Sequence, residues 1–293
     1  MGADPGSRRL DELRFDPVVE VLHGARRVCV LTGSGISAQS GVPTFRDAQQ
    51  GLWAKYDPLE LATPEAFARD PALVWRWYRW RRQLVTAAEP NAGHRALVEL
   101  ARHSSTFTLI TQNVDGLHQL AGSREVVEFH GNLFKQHCVD NCGFNASTDG
   151  RCIDNSGFTA STNQHPVDEH GVEANRPAAG DGDAPLPRCP ACGALVRPSV
   201  VWFGEAIPDS ALEHAFRAVA GCDVFLSVGT SSQVYPAAGL VDIARQSSAV
   251  TVEINPEATG RSADFDRVLT GEAGTVLPEL VESLARHDGA GET

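Results

Sequence analysis

Five short apolar runs in this chain each end in a cluster of glycine or polar residues, and that repeated punctuation restricts the fold more than any other feature. They are 25–35 (ARRVCVLTGSG), 105–113 (STFTLITQN), 126–131 (VVEFHG), 222–232 (CDVFLSVGTSS) and 248–259 (SAVTVEINPEAT). Helical patterns lie between them. Residues 71–88 carry Leu73, Trp77, Trp80 and Leu84 at helical spacing, with Pro71 placed for a first turn. Residues 91–102 begin with Asn91 as a cap, and 276–287 read as a closing helix. A short polar lead and a helix fill residues 1–25, and residues 46–70, broken by Pro, Gly and Asp, read as a mobile segment with short helices. Strands that alternate with helices and end in ligand-type groups specify an α/β fold: a parallel sheet with helices on both faces and chemistry at the strands' carboxyl ends.

Composition sets the outer bounds. The 293 residues, 42% hydrophobic, suffice for two domains or for one large domain with an insertion. No apolar run is long enough to span a bilayer, and residues 1–15 lack the apolar stretch of a secretory signal. The cytoplasm is therefore the expected compartment, with no membrane partner. A net charge of −12 repels phosphate backbones, which argues against nucleic acid as a general partner and mildly favours basic protein tails. The sequence contains no internal repeat.

Seven cysteines in a chain without an export signal do not suggest a disulfide framework. Four of them form two close pairs, Cys138-x3-Cys142 and Cys189-x2-Cys192, flanked by polar residues that suit a surface knuckle better than buried free thiols. Four thiolates fill a tetrahedral zinc site and leave no open position, so the expected metal is one structural Zn2+. Cys152, His137, His165 and His170 are rival ligands but make no second close pair; Cys29 and Cys222 sit in apolar runs and read as core. Residues 143–188, between the pairs, are polar and rich in Gly, Asn, Asp and Pro, and read as a long, partly disordered insertion.

Two further motifs carry chemistry. In TGSGISAQSG (32–41), Gly33 and Gly35 follow a strand and let the backbone approach a pyrophosphate near a helix start. The plainer reading is a glycine turn of any α/β protein. The spacing is not G-x-G-x-x-G, and no clear ribose-binding acid follows at the expected distance, so the common dehydrogenase fingerprint is not met. In TQNVDGLH (111–118) and EFHG (128–131), Gln112, Asn113, Asp115 and His130 stand at strand ends, where amides and carboxylates bind ribose hydroxyls or a carboxamide and a histidine can act as general base. A lone histidine is more often structural, as His94, His103 and His118 illustrate.

Taken in order, TGSGISAQSGVPTFR, TQNVDGLH, EFHG, the two cysteine pairs, VVWFGE, VGTSSQVYPA and EINPEAT resemble the sirtuin family, and the match covers most of residues 25–280. The resemblance implies a Rossmann-type domain from residues 1–131 and 200–293, and a small zinc domain at 132–199 that carries the insertion. It implies NAD and an acylated protein lysine as co-substrates, with free lysine, nicotinamide and O-acyl-ADP-ribose as products. By the same resemblance Gly33, Ser34, Gly35, Ser37, Phe45, Arg46 and Trp53 belong to the NAD pocket and its loop. Gln112, Asn113 and Asp115 lie on the nicotinamide side. Gly229, Thr230 and Ser231 hold phosphate and ribose, Asn255 and Glu257 line the adenosine, and Ala273 lies near the adenine. His130 matches the family's catalytic histidine, with Asn113 and Asp115 beside it in the catalytic set. Val201, Trp202, Phe203, Gly204 and Glu205 are expected to pair with the substrate backbone as a strand. Ser34 stands where the family usually has Ala, and the insertion is longer than in compact members.

Acyl preference turns on Tyr78 and Arg81, three apart and so on one helix face. A phenol and a guanidinium together suit a carboxylate, and a Tyr-x-x-Arg pair in this helix resembles the class III branch that removes succinyl and malonyl groups. Arg76, Arg79 and Arg82 make a solvated arginine-rich face the competing reading. The alternatives are ordinary deacetylation, mono-ADP-ribosyl transfer to protein, or a non-catalytic NAD sensor, which the intact His130, Asn113 and Asp115 disfavour. Hydride transfer is weakened by the glycine spacing. Target proteins and oligomeric state are not legible.

Overall fold

The computed structural model describes residues 14–42, 57–147 and 185–290. Phe45, Arg46, Trp53, Cys152, His165 and His170 lie outside the described residues, as does most of the polar stretch at 143–188. In chain order the strands are β1 Arg27–Thr32, β2 Thr106–Thr111, β3 Val126–Glu128, β4 Gly131–Cys138, β5 Asn145–Ser147, β6 Val196–Val200, β7 Val224–Val228, β8 Val250–Asn255 and β9 Arg267–Thr270. The helices are α1 Asp16–Gly24, α2 Ser34–Ala38, α3 Pro58–Leu61, α4 Pro64–Arg69, α5 Pro71–Thr86, α6 Ala92–Leu100, α7 Leu117–Ala121, α8 Asp209–Gly221, α9 Leu240–Gln246 and α10 Ala273–Ala290. Two compact units result: residues 1–48, 87–131 and 206–293, and residues 49–86 with 132–205.

The first unit is built on a six-stranded sheet in the order β3-β2-β1-β7-β8-β9. Its strand pairs are all parallel. Numbered within the sheet this is 3-2-1-4-5-6, the doubly wound order whose switch point falls between β1 and β7. The five apolar runs supply five of the strands. β9 was not legible because Arg267–Thr270 offers one buried residue out of four and so no apolar run. β7 is buried throughout and β1 and β8 nearly so, as strands covered on both faces must be. On one face Val28, Val30, Val224, Leu226 and Val252 pack with Leu22 of α1, Leu97 of α6 and Leu280 of α10. The alternate residues Cys29, Leu31 and Phe225 are equally buried, and helices α8 and α9 lie against these strands. Cys29 and Cys222 are buried, as expected of core thiols. Asn91 caps α6: its side chain accepts from the Gly93 and His94 amides, and His94 Nδ1 accepts the Asn91 amide in return.

The second unit holds a three-stranded sheet, β5-β4-β6, with α5 beside β6. Sequence placed this unit at residues 132–199, whereas the described residues 57–86 and 200–205 also belong to it. The reason lies in α5. The Trp75 indole N–H donates to the Val196 carbonyl at 2.9 Å, and Arg82 Nε donates to the Leu133 carbonyl at 2.5 Å. The buried stripe of α5 is Val74, Trp75, Trp77, Tyr78 and Val85, rotated from the expected Leu73–Trp77–Trp80–Leu84 stripe, and Leu84 is exposed. Apolar spacing alone ignored that Trp75 and Tyr78 carry polar ends which find partners inside. Among the described residues no helix is long and apolar enough to cross a membrane.

At the switch point the turns after β1 and β7 come into backbone contact. Gly33 N–H donates to the Val228 carbonyl and Gly35 N–H to the Gly229 carbonyl, at 3.0 and 2.8 Å. A Cβ on Gly35 would lie 2.7 Å from Gly229 Cα, and one on Gly229, whose φ is +59°, would lie 2.6 Å from the Ile36 nitrogen. Gly229→Ala is expected to lower stability by about 2–4 kcal/mol, overpacking and left-handed strain combined. Urea unfolding checks this, and an unchanged midpoint would mean the turns can separate freely.

Candidate active site and metal centre

The residues flagged at the ends of β1 and β2 form one connected polar cluster in the first unit. Asn113 Nδ2 donates to the Gly33 carbonyl at 3.0 Å and to Ser37 Oγ at 3.1 Å. Ser37 Oγ donates to Asp115 Oδ2 at 2.7 Å, and the other Asp115 oxygen accepts the Leu117 amide at 2.9 Å. His94 Nε2 lies 3.4 Å from Ser37 Oγ. Because the Asn91 amide can only donate to His94 Nδ1, the His94 proton sits on Nε2 and points at Ser37. Burial, with Arg95 nearby, pulls His94 down to about 4, so it is neutral at physiological pH. Ser37 thus accepts from Asn113 and His94 and donates to Asp115, with its hydrogen-bonding capacity filled.

Beneath this lies a layer that sequence reading missed. Thr32 Oγ1 bonds Thr111 Oγ1 at 2.8 Å and His118 Nε2 at 2.9 Å, and the His94 and His118 rings are 4.9 Å apart. Burial holds His118 neutral, far below its ordinary range. His94 had a usable signal, because Asn91-x-x-His94 has capping-box spacing; His118 had none.

His130 follows β3, and its Nδ1 donates to the Gln112 carbonyl at 3.1 Å. A carbonyl only accepts, so the proton is on Nδ1 and Nε2 keeps its lone pair. Burial lowers the His130 pKa, partly offset by the Gln112 bond, which makes the ring an available base at neutral pH. The Gln112 side chain is turned elsewhere, donating to Thr230 Oγ1 at 3.0 Å.

Beside the switch point lies an open groove of about 400 Å³. Ser34, Gly35, Gly229, Thr230, Ser231, Asn255 and Glu257, all flagged from sequence, line it. Gln233 and Thr259 also line it and were not foreseen; they come from the loops after β7 and β8, whose path periodicity does not reveal. Asn255 Nδ2 donates to the Thr230 carbonyl at 2.9 Å, joining the two loops. Ala273 does not line the groove: it opens α10 inside the core, against Gly93. Ala38 stands in the third place of a G-x-G-x-x-A turn, a small residue that the dinucleotide fingerprint also admits, so the sequence objection raised by glycine spacing falls away.

In the second unit, one sulfur from each of Cys138, Cys142, Cys189 and Cys192 lies within 4.8 Å of the others. The Cys138–Cys192 and Cys142–Cys189 separations are both 3.4 Å. A tetrahedral ion with Zn–S bonds of about 2.3 Å needs sulfurs about 3.8 Å apart, so the cluster fits a closed structural zinc site. His137 instead bonds Ser199 Oγ at 2.9 Å.

The acyl and peptide residues fall in this unit too. Tyr78 is fully buried and its hydroxyl accepts the Trp202 indole N–H at 2.8 Å. Burial pushes the phenol up to about 12, with the Arg81 charge opposing. The Arg81 guanidinium lies 5.0 Å from the Trp77 ring centre. β6 stops at Val200 and Val201 to Glu205 follow it in a turn, with the Glu205 amide donating to the Trp202 carbonyl and Gly204 at φ +84°; pairing of this segment with a substrate backbone stands as an expectation. The Trp202 side chain is buried beside Phe67 and Tyr78, and the Glu205 carboxylate is committed to Arg197 and the Trp202 amide. Those two side chains hold the unit together, while Phe203 is exposed.

The Sir2 family model matches residues 33–236. The chain belongs to the Sir2 family. A curated relative, NAD-dependent protein deacylase 1 of Pseudomonas aeruginosa, is 47% identical over 90% of this chain and 96% of its own length. The crystal structure of a Sir2 homolog–NAD complex matches with a TM-score of 0.77 at 39% identity, covering 93% of this chain and 94% of that one. A Sir2 structure bound to a myristoylated histone peptide matches with a TM-score of 0.66 at 30% identity, covering 96% and 99%.

For this Sir2 protein, NAD is the cofactor that the groove and cluster would hold, and the thiolates would hold zinc. Trp75, Trp77, Trp80 and Trp202 all belong to the second unit, so their fluorescence reports on it. Removing zinc with a chelator is expected to red-shift that emission, and added Zn2+ to reverse it; an unshifted spectrum after proven zinc loss would remove the metal's structural role. His130→Ala is expected to cut turnover by about 10²–10⁴-fold with NAD still bound. In the parent protein the base is lost as pH falls, and the acid limb of kcat/KM should lie below the ordinary imidazole value of about 6.5. A limb above that value would count against His130 as the base.

Proposed function

We propose that this protein removes succinyl and malonyl groups from protein lysines, with Tyr78 and Arg81 reading the free carboxylate of the acyl chain. The broader activity is firm: the chain is an NAD-dependent deacylase of the Sir2 family, with curated relatives of that activity along nearly its full length. NAD supplies the ADP-ribose that accepts the acyl group, with nicotinamide as the leaving group. The chain's own groups do the rest. Asn113, Ser37 and Asp115 hold one another in a fixed array, and His130 offers Nε2 to take a proton. The acyl-lysine is carried on a protein, as the histone peptide of the related Sir2 structure illustrates for that enzyme.

The feature that carries the acyl preference is the spacing of Tyr78 and Arg81, three residues apart on α5. The Trp202 indole fixes the phenol oxygen by occupying one lone pair, which leaves the hydroxyl proton to donate. The Arg81 charge is near enough to act on that hydroxyl. A fixed phenol donor beside a permanent cation favours a carboxylate over a methyl group. An ordinary acetyl group uses neither.

Arg81 is the cleaner position to test. Tyr78→Phe would strand the buried Trp202 N–H, at about 1–3 kcal/mol of stability, and confuse folding with recognition. Arg81→Met is expected to raise KM for succinyl- and malonyl-lysine peptides by about tenfold or more, the loss of one charge-assisted contact, while deacetylation is kept. Mass spectrometry of matched acetyl, malonyl and succinyl peptides with and without NAD reads this directly. Equal loss on all three peptides, or reaction of the acetyl peptide alone in the parent protein, would overturn the carboxylate reading and leave the deacylase assignment standing.

A further inference from the structure

A second cluster of metal-binding side chains lies in the first unit, apart from the groove and the catalytic cluster. His23 is in the last turn of α1, and His287 and Asp288 are in the last turns of α10. One ligand atom from each lies within 4.8 Å of the others. The His23 and His287 rings are 4.7 Å apart between centres. A third histidine, His103, ends the 3-10 turn Ala101–His103 that continues α6.

Asp288 organises this group. One of its oxygens is 2.6 Å from His23 Nδ1 and the other 2.8 Å from His103 Nδ1. A carboxylate only accepts, so His103 donates from Nδ1, while the proton between His23 Nδ1 and Asp288 is the one that an ion bound to both would replace. Ligating carboxylates are themselves held by outer hydrogen bonds, and His103 plays that part for Asp288. The C-terminal ends of α1 and α10 add partial negative charge, which favours a cation. The packing of α10 on α1 and α6 brings the elements together, so the cluster is a product of the fold.

We propose that His23, His287 and Asp288 form a surface site for one borderline divalent transition metal of the zinc, nickel or copper class, with His103 as a positioning residue that holds Asp288. Imidazole and carboxylate donors suit these ions and not Mg2+ or Ca2+, which take all-oxygen sets. A bound ion would join the ends of α1 and α10 and stabilise the first unit by mass action.

The test is calorimetric titration of Zn2+ into untagged protein that already holds its structural zinc, with thermal melting followed in parallel. The expected result is one further equivalent bound at micromolar free zinc, together with a raised Tm. His23→Ala/His287→Ala should abolish both while keeping the structural zinc and the parent deacylase rate. His103→Ala should weaken binding by about tenfold, as loss of an outer-shell partner does. Absence of a further equivalent in the parent protein, or its survival in the double variant, would overturn the site and reduce the cluster to histidine–aspartate ion pairing.

Discussion

The contact between the two glycine turns at the switch point is the constraint on which the catalytic unit depends. Strands β1 and β7 are neighbours, and the turns that follow them must diverge to opposite faces of the sheet. Here they touch through backbone alone, Gly33 and Gly35 against Gly229, with no room for a Cβ on any of the three. That contact puts Gly35 and Gly229, which have no side chain, into the lining of the groove. It also sets where Ser37 and Asn113 begin, because Asn113 is anchored to the Gly33 carbonyl and Ser37 lies in the short helix opened by the same turn.

From that anchor a chain of buried hydrogen bonds runs through Asn113, Ser37, Asp115 and His94. A half-satisfied network in a low-dielectric interior would be costlier than an apolar one. This one closes around Ser37, each donor meeting an acceptor, and it ties to the end of α6 through the Asn91 cap. The result is a set of polar side chains held before any ligand arrives, so that ordering them is a cost met in folding and not in binding. His130 is oriented by a different bond, to the Gln112 carbonyl, but by the same rule: one nitrogen is occupied so that the other is available.

The second unit solves a different problem. Its sheet has only three strands and depends on further fastening around it. The four thiolates supply one fastening. Helix α5 supplies the other, laying Trp75 and Tyr78 inward with their polar ends met by the Val196 carbonyl and the Trp202 indole. The Arg197 guanidinium sits 3.3 Å over the Trp202 ring and pairs with Glu205, so the turn after β6 is held from both sides. Tyr78 therefore serves the packing of the unit and, in the proposed reading, its selectivity, and the two roles share one hydroxyl.

The sequence by itself determined five of the six strands of the main sheet, because an apolar run ending in Gly or Asn has few other uses. It also determined the zinc ligands, because four cysteines in two close pairs leave little alternative. It named most of the groove, since Gly33, Gly229 and Asn255 stand at strand ends, where parallel sheets place their ligands. Only the tertiary structure decided the rest. The inward face of α5 depended on partners more than a hundred residues away, which apolar spacing cannot register. The turn at 201–205 followed from the Glu205 pairing with Arg197. His94 and His118 became part of the site only when α6 and α7 were laid against β1 and β2. Periodicity reports which residues prefer to be buried; it does not report which polar group each buried side chain will meet, and in this protein those meetings fix the site.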